Sequence, residues 1–345
     1  MRKTLLILLV AAISMTAMAQ EDVIPSEFNE SIQTFAEGVA SSLPLIAAVG
    51  LNWSDAYIGQ FPHFGVGGAV GFGTIPFDAA RPVLQAMQLE DVVVNSPVFQ
   101  YLEQYGMPVP AYSAEARLGG FFIPFDAGVR VGILPPDWSP ESLLQGLNLD
   151  YRMFGFDVRF PIVQERGVLP DISISGGYTR LNATIGLSGI YGSDVQLASY
   201  SVPGVDPIDI VLTDPSAEFF WEANVIDLKA QVSKNLLLFT PYAGFGASLG
   251  FGRAGGGFEA DLSGIDQAAI DEFNAAAEQL GQDAIVLPEF VDGGFYVSAP
   301  MTGGWAFRAF GGVSINLLVV KLDLTAMYDF IGLNFGATVG LRVQL

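Results

Sequence analysis

The sequence predicts an antiparallel transmembrane β-barrel of about ten strands, with twelve as the alternative count, and an amphipathic helix ahead of it. Three observations predict this. First, the carboxy-terminal stretch, residues 303–345, keeps a two-residue period to its last position. Leu333, Phe335, Ala337, Val339, Leu341, Val343 and Leu345 take one face, and Asn334, Gly336, Thr338, Gly340, Arg342 and Gln344 the other. The strand before it sets Leu318, Val320, Leu322, Leu324, Ala326, Tyr328 and Phe330 against Val319, Lys321, Asp323, Thr325 and Met327. Second, the apolar sides carry no charge, while the polar sides are rich in glycine and hold opposite charges close together. Lipid on one side and an enclosed lumen on the other account for both. Third, long and short connections alternate along the chain, as they must when strands run up and down through a membrane.

The amino terminus reads as a secretory signal peptide over residues 1–19. Arg2 and Lys3 precede an apolar core from Leu5 to Ile13, and Ala17-Met18-Ala19 forms a small-x-small cleavage site. Without cysteine the chain has neither a lipid-modified amino-terminal cysteine nor a disulfide. No second apolar run reaches the ~18 residues a membrane helix needs, yet 51% of the residues are hydrophobic and 40 are glycine. The formal charge is −21, near −23 once Arg2 and Lys3 are removed, which excludes nucleic acid as a partner.

Residues 20–60 read as a helix and a connector. Phe28, Ile32, Phe35, Val39 and Leu43 recur at helical spacing between Ser26 and Leu43, with Glu27, Glu30, Gln33 and Glu37 between them. Such a helix packs either beneath the barrel or inside it as a plug. Leu45 to Gly59 has no clear period and carries Trp53 and Tyr57.

The barrel proper is expected over residues 61–345. Strand one, His63 to Thr74, turns Phe64, Val66, Val70 and Phe72 outward and Gly65, Gly67, Gly71 and Gly73 inward. After a long connection with short helical pieces (Ile75 to Pro110), strand two covers Ala111 to Phe122 and strand three Ala127 to Leu134. Strand four is Asp150 to Phe160, and strand five is Asp171 to Leu187 with a phase slip near Arg180 to Asn182 that predicts a β-bulge. Strands six (Phe220 to Ser233) and seven (Phe239 to Arg253) flank a turn at Lys234-Asn235, and strand eight is Gly304 to Asn316. A second amphipathic helix is expected around Ile265 to Leu280. In the four long connections, Ile75 to Pro110, Pro135 to Leu147, Gly189 to Phe219 and Ala254 to Pro300, acids outnumber bases by 3, 2, 5 and 9, which puts 19 excess negative charges on one predicted end. The tetrapeptide Ile-Pro-Phe-Asp recurs at Ile75 and Ile123, on opposite predicted ends, and leaves room for twelve strands using Leu45 to Gly59 and Ile285 to Ser298.

Phe154 to Leu181, a Phe-Gly-Phe-Asp-Val-Arg-Phe-Pro strand followed by Leu-Pro-Asp-Ile-Ser-Ile-Ser-Gly-Gly-Tyr-Thr-Arg-Leu, resembles a hairpin of an uncharacterised family of bacterial outer-membrane β-barrel proteins. The resemblance implies the barrel fold, the cell outer membrane as location, contact with outer-membrane lipid, and recognition by a barrel-assembly machinery during biogenesis. It implies no catalysis. Many such barrels end on Phe, whereas this chain ends on Leu345.

The candidate functional residues are the inward charges: Glu115, Arg117, Arg130, Asp157, Arg159, Asp227, Lys229, Arg308, Lys321, Asp323 and Arg342. In a closed lumen such groups either pair or line a wet path. With seven cations against four anions they favour anions, and the inward glycines leave space on part of the wall. A single histidine, His63, at the short-turn end and no cysteine leave no nucleophile–base pair in prospect, so no enzyme is expected. No Asp-x-Asp-x-Asp-Gly loop suggests a metal site, and no cofactor motif occurs. The expectation is a narrow channel or carrier for small solutes, the alternative a closed structural or adhesive barrel that works through its acidic loops.

Overall fold

The computed structural model describes residues 26–50, 53–59, 61, 63–86, 94, 99–120, 124–133, 147–188, 195–200, 208–263, 267–279 and 294–345. The signal-peptide reading of residues 1–19 and the proline-rich loop 135–140 lie outside these residues. Among these residues eleven strands form: β1 (His63–Ile75), β2 (Met107–Gly119), β3 (Asp126–Ile133), β4 (Leu147–Val163), β5 (Asp171–Leu187), β6 (Val195–Tyr200), β7 (Ile208–Ser233), β8 (Phe239–Ser263), β9 (Gly294–Leu317), β10 (Val320–Asp329) and β11 (Phe335–Gln344). Each pairs antiparallel with its neighbours, β1 closes on β11, and β5 pairs with β7 past the short β6. The result is a closed ten-stranded transmembrane barrel, with β6 an extra strand on the projecting start of β7. Four helices accompany it among the described residues: α1 (Ser26–Ile46), α2 (Phe77–Ala86), α3 (Phe99–Tyr105) and α4 (Gln267–Gln279).

Side-chain distribution is the reverse of a soluble protein's. Val70, Leu341 and Phe245 are 60%, 57% and 68% exposed, whereas Arg308, Arg130 and Arg159 are 1–2% exposed. That inversion is what a bilayer demands of a barrel, because lipid solvates apolar side chains and no backbone amide is left unpaired toward it. The expected alternation of β1, β10 and β11 holds residue by residue.

Three expectations change. The wall strands are longer than the period indicates: β7, β8 and β9 run 26, 25 and 24 residues and continue well into segments expected to be loops, and β2 starts at Met107. The twelve-strand count fails, because residues 45–50 and 53–59 lie inside the barrel and Gly294 to Ser298 belongs to β9, residues 51–52 and 285–293 being outside the described ones. Finally, β5 has no bulge near Arg180: its register against β4 and β7 is continuous there, and the irregularities fall at Pro161/Val163 of β4 and Gly250/Gly252 of β8. Polarity reverses at Arg180, but phase does not. Beyond this level Leu181 and Ala183, with Tyr151, Met153, Trp221 and Ala223 on neighbouring strands, still point inward, where they join the apolar cluster built on α1 and α2. Their outward neighbours are polar because the strands have left the lipid.

Candidate functional site: the filled lumen

Residues 26–50 and 53–59 lie in the barrel, the first toward the end with long connections and the second toward the end with short turns. α1 is amphipathic over its first turns, with Gln33, Thr34 and Glu37 exposed against Ile32, Phe35 and Ala36. From Ser42 to Gly50 every residue is buried. The wall is shaped to admit it. A Cβ on Gly304 would lie 2.6 Å from the Ala40 carbonyl oxygen, one on Gly73 2.8 Å from Ile46, and one on Gly65 2.6 Å from the Trp53 ring. At these positions the plug occupies the space the inward glycines leave, while Gly67 and Gly71 face Arg342 and Ala337 of the neighbouring strand β11. Arg130 of β3 donates from Nη1 to the carbonyls of Ala47 and Val49 at 2.9 and 3.0 Å, placing a cation on the carboxyl end of α1, where unpaired carbonyls and the helix dipole favour it. Asn334 donates to Ser42 Oγ at 2.9 Å.

Below α1, residues 53–58 are extended and bonded to the wall on several sides. Gln231 Nε2 donates to the carbonyls of Trp53 and Ser54 at 2.6 and 2.9 Å, and the Ala56 amide donates to Ser233 Oγ at 2.8 Å. Trp53 donates its indole N–H to Glu115 at 2.5 Å, and its ring lies under the guanidinium groups of Arg342 (4.6 Å) and Arg117 (5.3 Å). Asp55 is the electrostatic anchor: its Oδ2 lies 2.6 Å from Lys321 Nζ and 3.3 Å from Arg342 Nη2, and Arg159 donates to its carbonyl.

All eleven sequence-chosen charges face the lumen. Arg117 bridges Asp126 and Asp157, 2.6 Å to each, and Arg159 pairs with Asp126 at 2.5 Å. Arg308 pairs with Asp227 at 2.6 Å, with Ser248 bonded between them, and Arg342 pairs with Asp323 at 3.0 Å. Lys229 Nζ is 5.9 Å from the centre of the Phe310 ring. Two residues that carry the arrangement were not among those chosen. Asp126, fully enclosed, takes two arginines and lies 3.6 Å from His63 Nε2. It shares the inward parity of Gly128 and Arg130, a signal the sequence held but which was assigned to a turn. Asp55 had no such signal, since its segment has no period. With these two, and with Asp171 and Asp329, which are also buried on the inward side of β5 and β10, the lumen holds eight anions against seven cations among the described residues, so the expected surplus of three positive charges disappears and the anion preference loses its basis.

Beside Trp53 and Gly50 lies a space of about 10 Å³, about what one water molecule occupies. Among the described residues, no three His, Cys, Asp or Glu side chains converge as a metal site would need. Chemically, then, the site clamps a segment of its own chain with buried ion pairs and amide bonds.

The class these features define is a transmembrane β-barrel plugged by its own amino-terminal segment. Among solved structures the chain is similar to the translocator domain of autotransporter NalP from Neisseria meningitidis (9% identity over 83% of this chain and 89% of that one, TM-score 0.32). It is also similar to the outer membrane protease OmpT from Escherichia coli (10% identity, 84% and 99% covered, TM-score 0.40) and to the Pseudomonas putida toluene transporter TodX (11% identity, 91% and 96% covered, TM-score 0.26). No protein-family model and no curated protein sequence matches the chain.

Proposed function

We propose that this protein is an outer-membrane barrel, exported by its signal peptide and inserted by the barrel-assembly machinery with its long acidic connections outside, and that it works as a closed barrel through its outer end. It is neither an open diffusion channel nor an enzyme. The observation that carries the reading is the tethering of Asp55 and Trp53 by Arg342, Lys321, Arg159, Arg117 and Glu115 from four different strands. A segment merely resting in a pore would not engage most of the wall's charges. The proposal favours the structural or adhesive alternative over the narrow channel, because a solute path would have to displace the bonds that hold the plug.

Planar-bilayer recording tests it. The intact protein, with insertion verified by its heat-modifiable migration in gels, is expected to show no steady current. Deleting residues 26–59 should produce discrete conductance steps, and Trp53→Ala combined with Asp55→Asn, which loosens the plug without removing it, should produce brief ones. A steady ohmic current through the intact protein would overturn the reading.

A further inference from the structure

The outward face of the wall carries a second charge pattern, unrelated to the lumen. Among the described residues its cations are Arg152, Arg180 and Arg253, and all three fall in one patch on adjacent strands β4, β5, β7 and β8. The pairing register puts Arg152 opposite Asn182, Asn182 opposite Glu222, and Glu222 opposite Arg253, while Arg180 faces Phe154 on one side and Asn224 on the other. Arg180, Asn182, Glu222, Asn224 and Arg253 line a shallow depression of about 260 Å³. Toward the short-turn end the same strands present exposed Phe154, Phe156, Ile226, Leu228 and Phe251, a lipid-facing surface. Nine residues separate Asp171, at the start of β5, from Arg180. At ~3.3 Å per residue and a tilt of ~40° that is roughly 23 Å of height, close to the ~25 Å apolar band of such barrels. The patch therefore lies at headgroup level, in the leaflet beside the long connections.

Its pairing is incomplete in a way that suits a ligand. Arg253 is held by Glu222 at 3.1 and 3.2 Å and Arg152 by Asp150 at 3.2 Å, but Arg180 has no carboxylate within 4.0 Å among the described residues. Asn182 and Asn224 bring amides to either side of it; Tyr178 holds Asn224 through its carbonyl oxygen at 2.5 Å, which leaves that amide's N–H groups available. A guanidinium with flanking N–H donors matches a phosphate's oxygens. An anion is not drawn to this end by the acidic connections, so recognition has to be local. We propose that this patch binds the phosphate group of an anionic lipid headgroup, with Arg180 as the principal contact and the acyl chains lying on the phenylalanine surface below.

Native mass spectrometry of the full-length protein in detergent, titrated with a bis-phosphorylated glucosamine lipid, tests the proposal. The wild type should retain the lipid, and Arg180→Gln should weaken retention about tenfold. Glu222→Gln, which removes the carboxylate competing for Arg253, should tighten it, an outcome misfolding could not imitate. The dephosphorylated lipid should bind no better to the wild type than to Arg180→Gln, and millimolar inorganic phosphate should fail to displace the bound lipid. Equal retention by Arg180→Gln and wild type, equal binding of the dephosphorylated lipid, or full displacement by inorganic phosphate would each overturn it. None of these outcomes depends on whether the lumen conducts.

Discussion

At the scale of single residues the lumen is governed by the cost of leaving a charge enclosed without a partner. Asp126 holds Arg117 and Arg159 together in a site that excludes solvent. Removing one member of a buried pair strands the others, at a typical cost of about 3–5 kcal/mol. Asp126→Ala should therefore destabilise the barrel by about that amount, measured as a shift in urea unfolding in lipid vesicles, and Arg117→Ala in the same background should cost less than it does alone. Strict additivity of the two would show that they do not share an energetic unit. Lumen-facing positions are closely packed: Thr325 is bonded to Tyr242, and Thr338 faces Gly71 at close range.

At the scale of elements, the short-turn end is stitched by side chains. Lys234, between β7 and β8, pairs with Glu165 at 2.9 Å and donates to the carbonyls of Gly167 and Leu169 in the turn between β4 and β5, while the Asn235 amide donates to the same carboxylate. The Lys234 hydrogen bond, and then the Asn235 amide, hold the Glu165 carboxyl below the ordinary glutamate range. A group whose pKa is lower folded than unfolded adds stability above its unfolded value, here ~4.3, and loses it as pH falls through the folded one. Amide exchange in residues 164–170 and 234–238 should accordingly be slow at pH 6 and faster, beyond its intrinsic pH dependence, below about pH 4. Glu165→Gln should abolish that difference; an unchanged pH response in the variant would assign it elsewhere.

At the scale of the whole molecule two solvents meet one wall. Val70 and Val339 pair across the seam that closes the barrel, at mid-height of β1 and facing out. Val339→Arg should cost roughly 2–4 kcal/mol if this level is the bilayer midplane, and folding yield into vesicles should drop to match. Val339→Ile should change little. Comparable losses for both would mean the site does not face lipid. Toward the long-connection end β7, β8 and β9 run 26, 25 and 24 residues and continue as a sheet beyond the shorter strands β3 and β10.

Much of this was written in the sequence, because a strand crossing a bilayer repeats the same decision at every second residue. Val70, Leu341 and Phe245 could face only lipid, Arg130 and Arg308 only the lumen, and the alternation of long and short connections ordered the ten strands. What the period could not convey depends on neighbours far away in the chain. The reversal at Arg180 looked like a bulge because a one-dimensional pattern cannot separate a change of phase from a change of surroundings, and here the surroundings changed, lipid giving way outside and α1 filling the inside. Asp55 has no periodic neighbours, and its role exists only where Lys321, Arg342 and Arg159 converge on it. Gly65, Gly73 and Gly304 likewise read as empty wall until Trp53, Ile46 and Ala40 were found against them. The sequence by itself determined which side of each strand meets lipid, since that is a local transfer free energy paid residue by residue. Only the tertiary structure decided what fills the lumen, since that depends on which segment of the same chain comes to lie within reach of the inward charges.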